Sequence, residues 1–171
     1  MASVVSRFAT AVRERDVGLT RVEPAGLPEA LGEILEEPVV GTSVPSVPSV
    51  DVEALPVAVN TDPTPAELDG ARTGLTGAPL AIADYGSVLV QGGDGGAEPV
   101  SLYPDRHVAV VRADDVVADM ETAMGEIADL IAAGHRSHVV ATGPSATADM
   151  GDLVRGAHGP KEVHVVVVND E

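Results

Sequence analysis

"HVVATGPSATADMGDLVRGAHGPKEVHVVVV", residues 138 to 168, begins and ends on runs rich in β-branched apolar residues. Neither run alternates apolar with polar positions, so "HVVATG" and "VHVVVV" read as short buried strands. Between them Gly143 and Pro144 break the first strand. Hydroxyls and acids suited to a helix start follow, and "ADMGDLVRGA" is read as a helix. Strand, helix, strand is the unit from which a parallel sheet with crossover helices is built.

The same alternation extends toward the N-terminus. Val4, Val5, Phe8, Ala11 and Val12 recur at helical spacing, as do Leu27, Ala30, Leu31, Ile34 and Leu35, which predicts two amphipathic helices. "PVVGT" and "LPVAVN" read as strands, and the Pro-punctuated "SVPSVPSV" between them as an extended surface connection. Thr64, Pro65 and Glu67 form an N-cap, a proline at N1 and a capping-box acid, predicting a helix through about Leu75. "PLAIADYGSVLVQ" supplies two apolar runs around a polar break. The Gly-rich "QGGDGGAEP" is read as a hairpin loop, because it lacks the Lys and Ser/Thr of a phosphate loop, and "HVAVVRA" follows as a buried strand. A helix is predicted from Asp115 to Ala133, with Val116, Met120, Ala123, Met124, Ile127, Leu130 and Ile131 on one stripe and Gly134 as its stop. The pattern is that of a single α/β domain over residues 1–171: three layers, with a mainly parallel sheet and helices on both faces.

Composition narrows the function classes. Of 171 residues, 27 are acidic and 10 basic, for a net charge of -17, and Lys161 is the only lysine. An acidic, lysine-poor surface repels itself in dilute buffer and is screened in concentrated salt, as suits a halophilic protein in a salty cytoplasm. It also argues against nucleic acid and against anionic membrane surfaces, since the arginines are scattered and form no basic patch. With no cysteine, the chain has no disulfide, no thiol nucleophile and no thiolate to hold a zinc ion or an iron–sulfur cluster. No cofactor is expected in this chain. The apolar stretch at the N-terminus breaks at Arg7 and no run spans a membrane, so a cytoplasmic location is expected. Homo-oligomerisation is left open.

Three stretches taken together resemble a known family: "AIADYGSVLV", "SLYPDRHVAVV" and "TGPSATADMGDLVRGAHGPKEVHVVVV". In that order they are similar to the LUD domain, the family of lactate-utilisation protein C, over roughly residues 64–168, with residues 1–63 less recognisable. The resemblance implies a fold like that of ribose-phosphate isomerase, glucosamine-phosphate deaminase and the CoA transferases. It further implies an accessory, ligand-binding role beside the iron–sulfur proteins of a lactate-oxidation operon, which convert L-lactate to pyruvate. Where the family carries Glu-Thr-Gly-Thr, this chain has Asp84, Tyr85, Gly86 and Ser87, which keeps a carboxylate on a shorter arm and a hydroxyl at the fourth place. Ala97 and Glu98 stand where the family often has an arginine.

The candidate site follows from these stretches. Gly143 and Pro144 shape a turn that lets backbone approach a ligand, and Ser145, Thr147 and Asp149 either cap the following helix or join its free N–H groups in holding a small anion. Asp84 follows an apolar strand. It is a candidate acid/base or nucleophile by analogy with the strand-end glutamate of CoA transferases, the alternative being a turn in which it bonds nearby backbone. Gly86 and Ser87 lie beside it, and the whole set is expected to face one crevice at the carboxyl ends of the strands. His158, followed by Gly159, is the histidine best placed for proton transfer or ligand contact, while His107 either reaches the pocket or satisfies a backbone group. His135 and His138 are read as a chance pair, and no metal site is expected. The rival function is a stand-alone transferase or isomerase acting on a sugar phosphate or acyl-CoA with Asp84 as the reactive group.

Overall fold

A computed structural model of the chain describes residues 3–44 and 51–169. Helix α1 (Val4–Arg13) is capped by Ser3, whose side chain accepts from the Ser6 N–H, and helix α2 is Leu27–Ile34. Strands β1 (Gly18–Val22), β2 (Val39–Gly41), β3 (Val59–Asn60), β4 (Thr73–Gly77), β7 (Arg106–Arg112) and β12 (Glu162–Val168) form one sheet in the order β1-β12-β7-β4-β2-β3. Every pairing in it is parallel. A second, mixed sheet has the order β8-β5-β6-β9, built from β5 (Ala81–Ile82), β6 (Ser87–Gln91), β8 (Val116–Val117) and β9 (His138–Thr142).

The parallel sheet is buried on both faces. Leu27, Leu31 and Leu35 cover Leu75, Val108, Val110 and Val166 on one face, while Phe8 and Val12 of α1 join Ala81, Ala83 and Val88 over Ala109, Val111, Val165 and Val167 on the other. The predicted α/β architecture with a parallel sheet and flanking helices is therefore present, and the second sheet is wedged into the α1 side. Helix α5 (Met120–Ala132) packs Ala123 and Ile127 on the outer surface of that second sheet, against Leu80, Ile82 and Leu89. Among the described residues no helix is long and apolar enough to cross a membrane.

Several local expectations are corrected. The predicted helix over "ADMGDLVRGA" is an antiparallel hairpin of β10 (Ala146–Asp149) and β11 (Asp152–Arg155). Met150 and Gly151 both have positive φ, 48° and 90°, the signature of a two-residue type I′ turn that folds one strand back on the next. The capping box at Thr64 forms as read, with the Thr64 N–H donating to Glu67 Oε2 at 2.8 Å, but helix α3 (Pro65–Asp69) is one turn long. Residues 73–75, expected to end that helix, belong instead to the central strand β4. There Gly74 is required by crowding, because a Cβ would lie 2.0 Å from the Val100 carbonyl of helix α4 (Ala97–Leu102). The Gly-rich stretch is not a hairpin loop, since it leads from β6 into α4. The helix predicted from Asp115 begins at Met120, and Val116 belongs to β8. Met124 and Ile131 of the predicted stripe are exposed. Strand β3 is shorter than "LPVAVN", and the predicted extended run falls mostly on residues 45–50, outside the described residues.

Candidate functional site

The hydroxyl- and glycine-bearing segments meet around a cavity of about 280 Å³ between the two sheets. Gly86, Gly143, Pro144, Ser145, His158 and Gly159 line it, together with His107, Leu102 and Val163. Three loops converge there. Gly86 (φ 63°) turns the β5–β6 hairpin so close to α1 that a Cβ would stand 2.9 Å from the Ala11 and Val12 backbone. Gly143 (φ 69°) redirects the chain at the end of β9. The Ser145 N–H donates to the Pro160 carbonyl at 2.8 Å and its carbonyl accepts from the Gly156 N–H at 3.0 Å, so the hairpin base is tied to the 158–160 loop. A Cβ on Gly159 would come 3.1 Å from Ser145 Cβ, which keeps that loop against the serine.

The floor of the cavity is His107, which is 2% exposed, with Nε2 2.8 Å from Thr76 Oγ1. Burial pushes its pKa down to about 4, so the ring is neutral at physiological pH. His158 is exposed at the mouth. Among the described residues no Lys, Arg, Asp or Glu lines it, so an anion held here would be held by hydroxyl and imidazole donors rather than by an opposite charge.

The crevice differs from the expected one in position and in membership. His107 and Val163, paired in register, are the second residues of β7 and β12, so the cavity opens at the amino ends of the parallel strands, not at their carboxyl ends. No helix begins at Ser145, and neither a helix dipole nor a cap enters its chemistry. Thr147 lies on β10 and is not among the lining residues, and Asp149 is the last residue of that strand. Ser87 is buried beside the cavity, its Oγ 2.7 Å from Thr142 Oγ1 across the β6–β9 pairing. Asp84 occupies the turn after β5, at the same edge of the mixed sheet as Gly143 because β5 and β9 both pair antiparallel with β6. Its carboxylate is bound by Arg7, whose guanidinium also donates to the Ala118 carbonyl, and both partners are partly exposed. His135 accepts from the Gln91 amide through Nδ1 at 2.8 Å, and among the described residues no group of three or more His, Asp or Glu gathers as a metal site. Residues Ser101 and Leu102 of the cavity wall come from α4, which six residues of mixed character had not announced.

Comparison with known proteins places this arrangement. The family model described as LUD domain matches residues 8–168. The chain belongs to the LUD domain family. This LUD domain is 32% identical over 174 residues to the Lactate utilization protein C of Deinococcus radiodurans, across 98% of the chain and 80% of that protein. It is 33% identical over 104 residues to a Geobacillus Lactate utilization protein C, covering 58% of this chain and 43% of the relative. A crystal structure of a DUF162 family protein from Deinococcus radiodurans superposes with a TM-score of 0.73 at 25% identity, over 96% of each chain. The family match thus extends well into the N-terminal part, where α1, β1, α2 and β2 supply an edge, an inner strand and both covering faces of the LUD sheet.

Proposed function

We propose that this LUD domain is an accessory ligand-binding subunit of a lactate-utilisation system, working beside iron–sulfur proteins that oxidise L-lactate to pyruvate. The observation that supports it is the 32% identity to a Lactate utilization protein C across nearly the whole chain. The chain has no cysteine with which to hold a cluster, so the clusters of such a system belong to its partners. The cavity is consistent with this division of labour. At about 280 Å³ it accommodates a small carboxylate, which Ser145 and His158 would meet with hydrogen bonds while the neutral His107 and the apolar wall exclude water. The rival, a stand-alone transferase or isomerase, draws no support from the geometry, because Asp84 is tied to Arg7 and does not line the cavity.

The test is genetic and calorimetric together. Disrupting the gene in its native host is expected to abolish growth on L-lactate while leaving growth on pyruvate intact, and the purified chain is expected to bind lactate or pyruvate more weakly after Ser145→Ala. Normal growth of the disrupted strain on L-lactate would remove the functional assignment, and an unchanged titration would remove Ser145 from the site.

A further inference from the structure

The molecule holds a second and larger cavity, about 630 Å³, at the opposite end of the mixed sheet from Ser145. It lies just beyond the carboxyl ends of two neighbouring parallel strands, bordered by Thr42 and Ser43 after β2 and by Gly77, the last residue of β4. In open α/β sheets this is the end where ligands bind, because the loops that leave the strands there can be varied without disturbing the sheet. Its volume falls inside the range of about 300–1,000 Å³ typical of small-molecule sites.

We infer that this cavity is a separate ligand site for a hydroxylated organic anion, of the class of sugar phosphates or sugar acids. Two segments form its wall and are bound to each other. The Gly92 N–H donates to the Ser137 carbonyl at 2.8 Å, and a Cβ on Gly92 would lie 2.6 Å from Ser137 Oγ. Beyond it the chain passes through Gly93 at φ 124°, a conformation left to glycine, with nothing near its Cβ position. Gly92, Gly93 and Gly95, without side chains, leave the backbone of this loop bare along the cavity beside Asp94.

The polar groups define the ligand. The Gln91 side-chain amide, a donor at Nε2, sits 2.8 Å from His135 Nδ1, so Nδ1 is the accepting nitrogen and Nε2 is left to donate to a ligand. Arg136, next in the chain, supplies charge. Arg7, Arg72, Arg106, Arg155 and Lys161 each hold a carboxylate of this acidic chain, whereas Arg136 has neither an ion pair nor a hydrogen bond among the described residues. In a protein of net charge -17, a guanidinium left unpaired at a cavity wall is a rare attractor for an anion. Thr42 and Ser43 bring hydroxyls to the other side, and Asp94 brings an acceptor. Asp94 suits a ligand hydroxyl and repels a ligand charged along its whole length. One anionic head with several hydroxyls matches the set.

The experiment is a calorimetric titration of the wild-type chain with glucose 6-phosphate, gluconate and uncharged glucose. At least one of the two anions is expected to bind and glucose is not, and whichever anion binds identifies the head group as phosphate or carboxylate. Arg136→Gln, at an exposed position where folding can be checked by its melting curve, is expected to weaken that binding by about tenfold, the scale of one charge-assisted contact. Ser145→Ala, in the other cavity, is expected to leave it unchanged. Binding of neither anion, equal binding of glucose, or binding unaltered by Arg136→Gln would each overturn the inference. None of those outcomes bears on growth on L-lactate, so the two assignments stand or fall separately.

Discussion

Strands β9 and β12 are written in nearly the same letters and live in different surroundings. Val165, Val166, Val167 and Val168 of β12 are essentially inaccessible, between β1 and β7, whereas Val139 and Val140 of β9 are 41% and 39% exposed at the edge of the mixed sheet. A β-branched run thus announces a strand but not its neighbours. Pairing partners are chosen over distances that no local window contains, and β1, which sits against β12, is 146 residues away in register. The candidate cavity lies where these two environments meet, with His107 and Val163 from the buried sheet on one side and Ala141 to Ser145 from the open edge on the other.

The largest effect expected from that contrast is acid sensitivity centred on the buried side. His107 has a folded pKa of about 4 against 6.5 when free, so the unfolded chain binds more protons between those values and stability rises with pH across that window. Lowering the pH from about 6.5 to about 4 is expected to cost up to roughly 3 kcal/mol from this group, with lowered carboxylates such as Glu162 adding loss of the same sign. Chemical denaturation across that range should show a shallower slope for His107→Gln. An identical slope would place the ring in solvent and dissolve the distinction between the two sides.

Truncation reads the contrast directly. Val166→Ala should cost about 2 kcal/mol, since it removes fully buried methyl groups from close-packed surroundings, while Val140→Ala should cost under about 1 kcal/mol at its half-exposed edge. Equal losses in urea titrations would mean that the β9 edge is covered in solution. A smaller effect tests a feature local to the chain: Thr64→Ala should lower stability by about 1 kcal/mol by dismantling the capping box, which checks whether so short a helix contributes at all. The smallest and most diffuse effect is that of salt. Raising KCl from about 0.1 M to about 2 M should raise the melting temperature, because screening relieves the self-repulsion of the -17 chain. Against it stands the cluster at the amino ends of the parallel strands, where Arg72 and Arg106 bridge Glu36 and Glu162 at 2.8 to 3.0 Å. Salt weakens these partly exposed pairs, and a falling melting temperature would show that they outweigh the surface repulsion.

Legibility followed the range of each signal. Helices α1 and α2, the capping box at Thr64 and the strands at "PVVGT", "HVAVVRA" and "VHVVVV" were readable because caps and apolar periodicity act within a few residues. The first half of strand β4, through Leu75, reads as the end of a helix because "ARTGLTG" has little apolar run of its own. Its threonines become strand residues through partners elsewhere, Thr73 Oγ1 donating to the Glu36 carbonyl at 2.8 Å. The hairpin of β10 and β11 was signalled by Gly151 inside a supposed helix, a residue that costs a helix about 1 kcal/mol and here supplies the positive φ of a turn.

By itself, then, the sequence determined the acidic surface, the absence of thiol chemistry, an α/β alternation and the residues grouped as Gly143–Ser145 and His158–Gly159, all of which depend on composition or on neighbours along the chain. Only the tertiary structure decided that these residues open at the amino ends of β7 and β12, that Asp84 is engaged by Arg7, and that a roomier cavity occupies the carboxyl ends of β2 and β4. The reason is physical. Cavities and ion pairs form between segments brought together by burying apolar faces, and that burial depends on the whole set of faces, not on any one stretch.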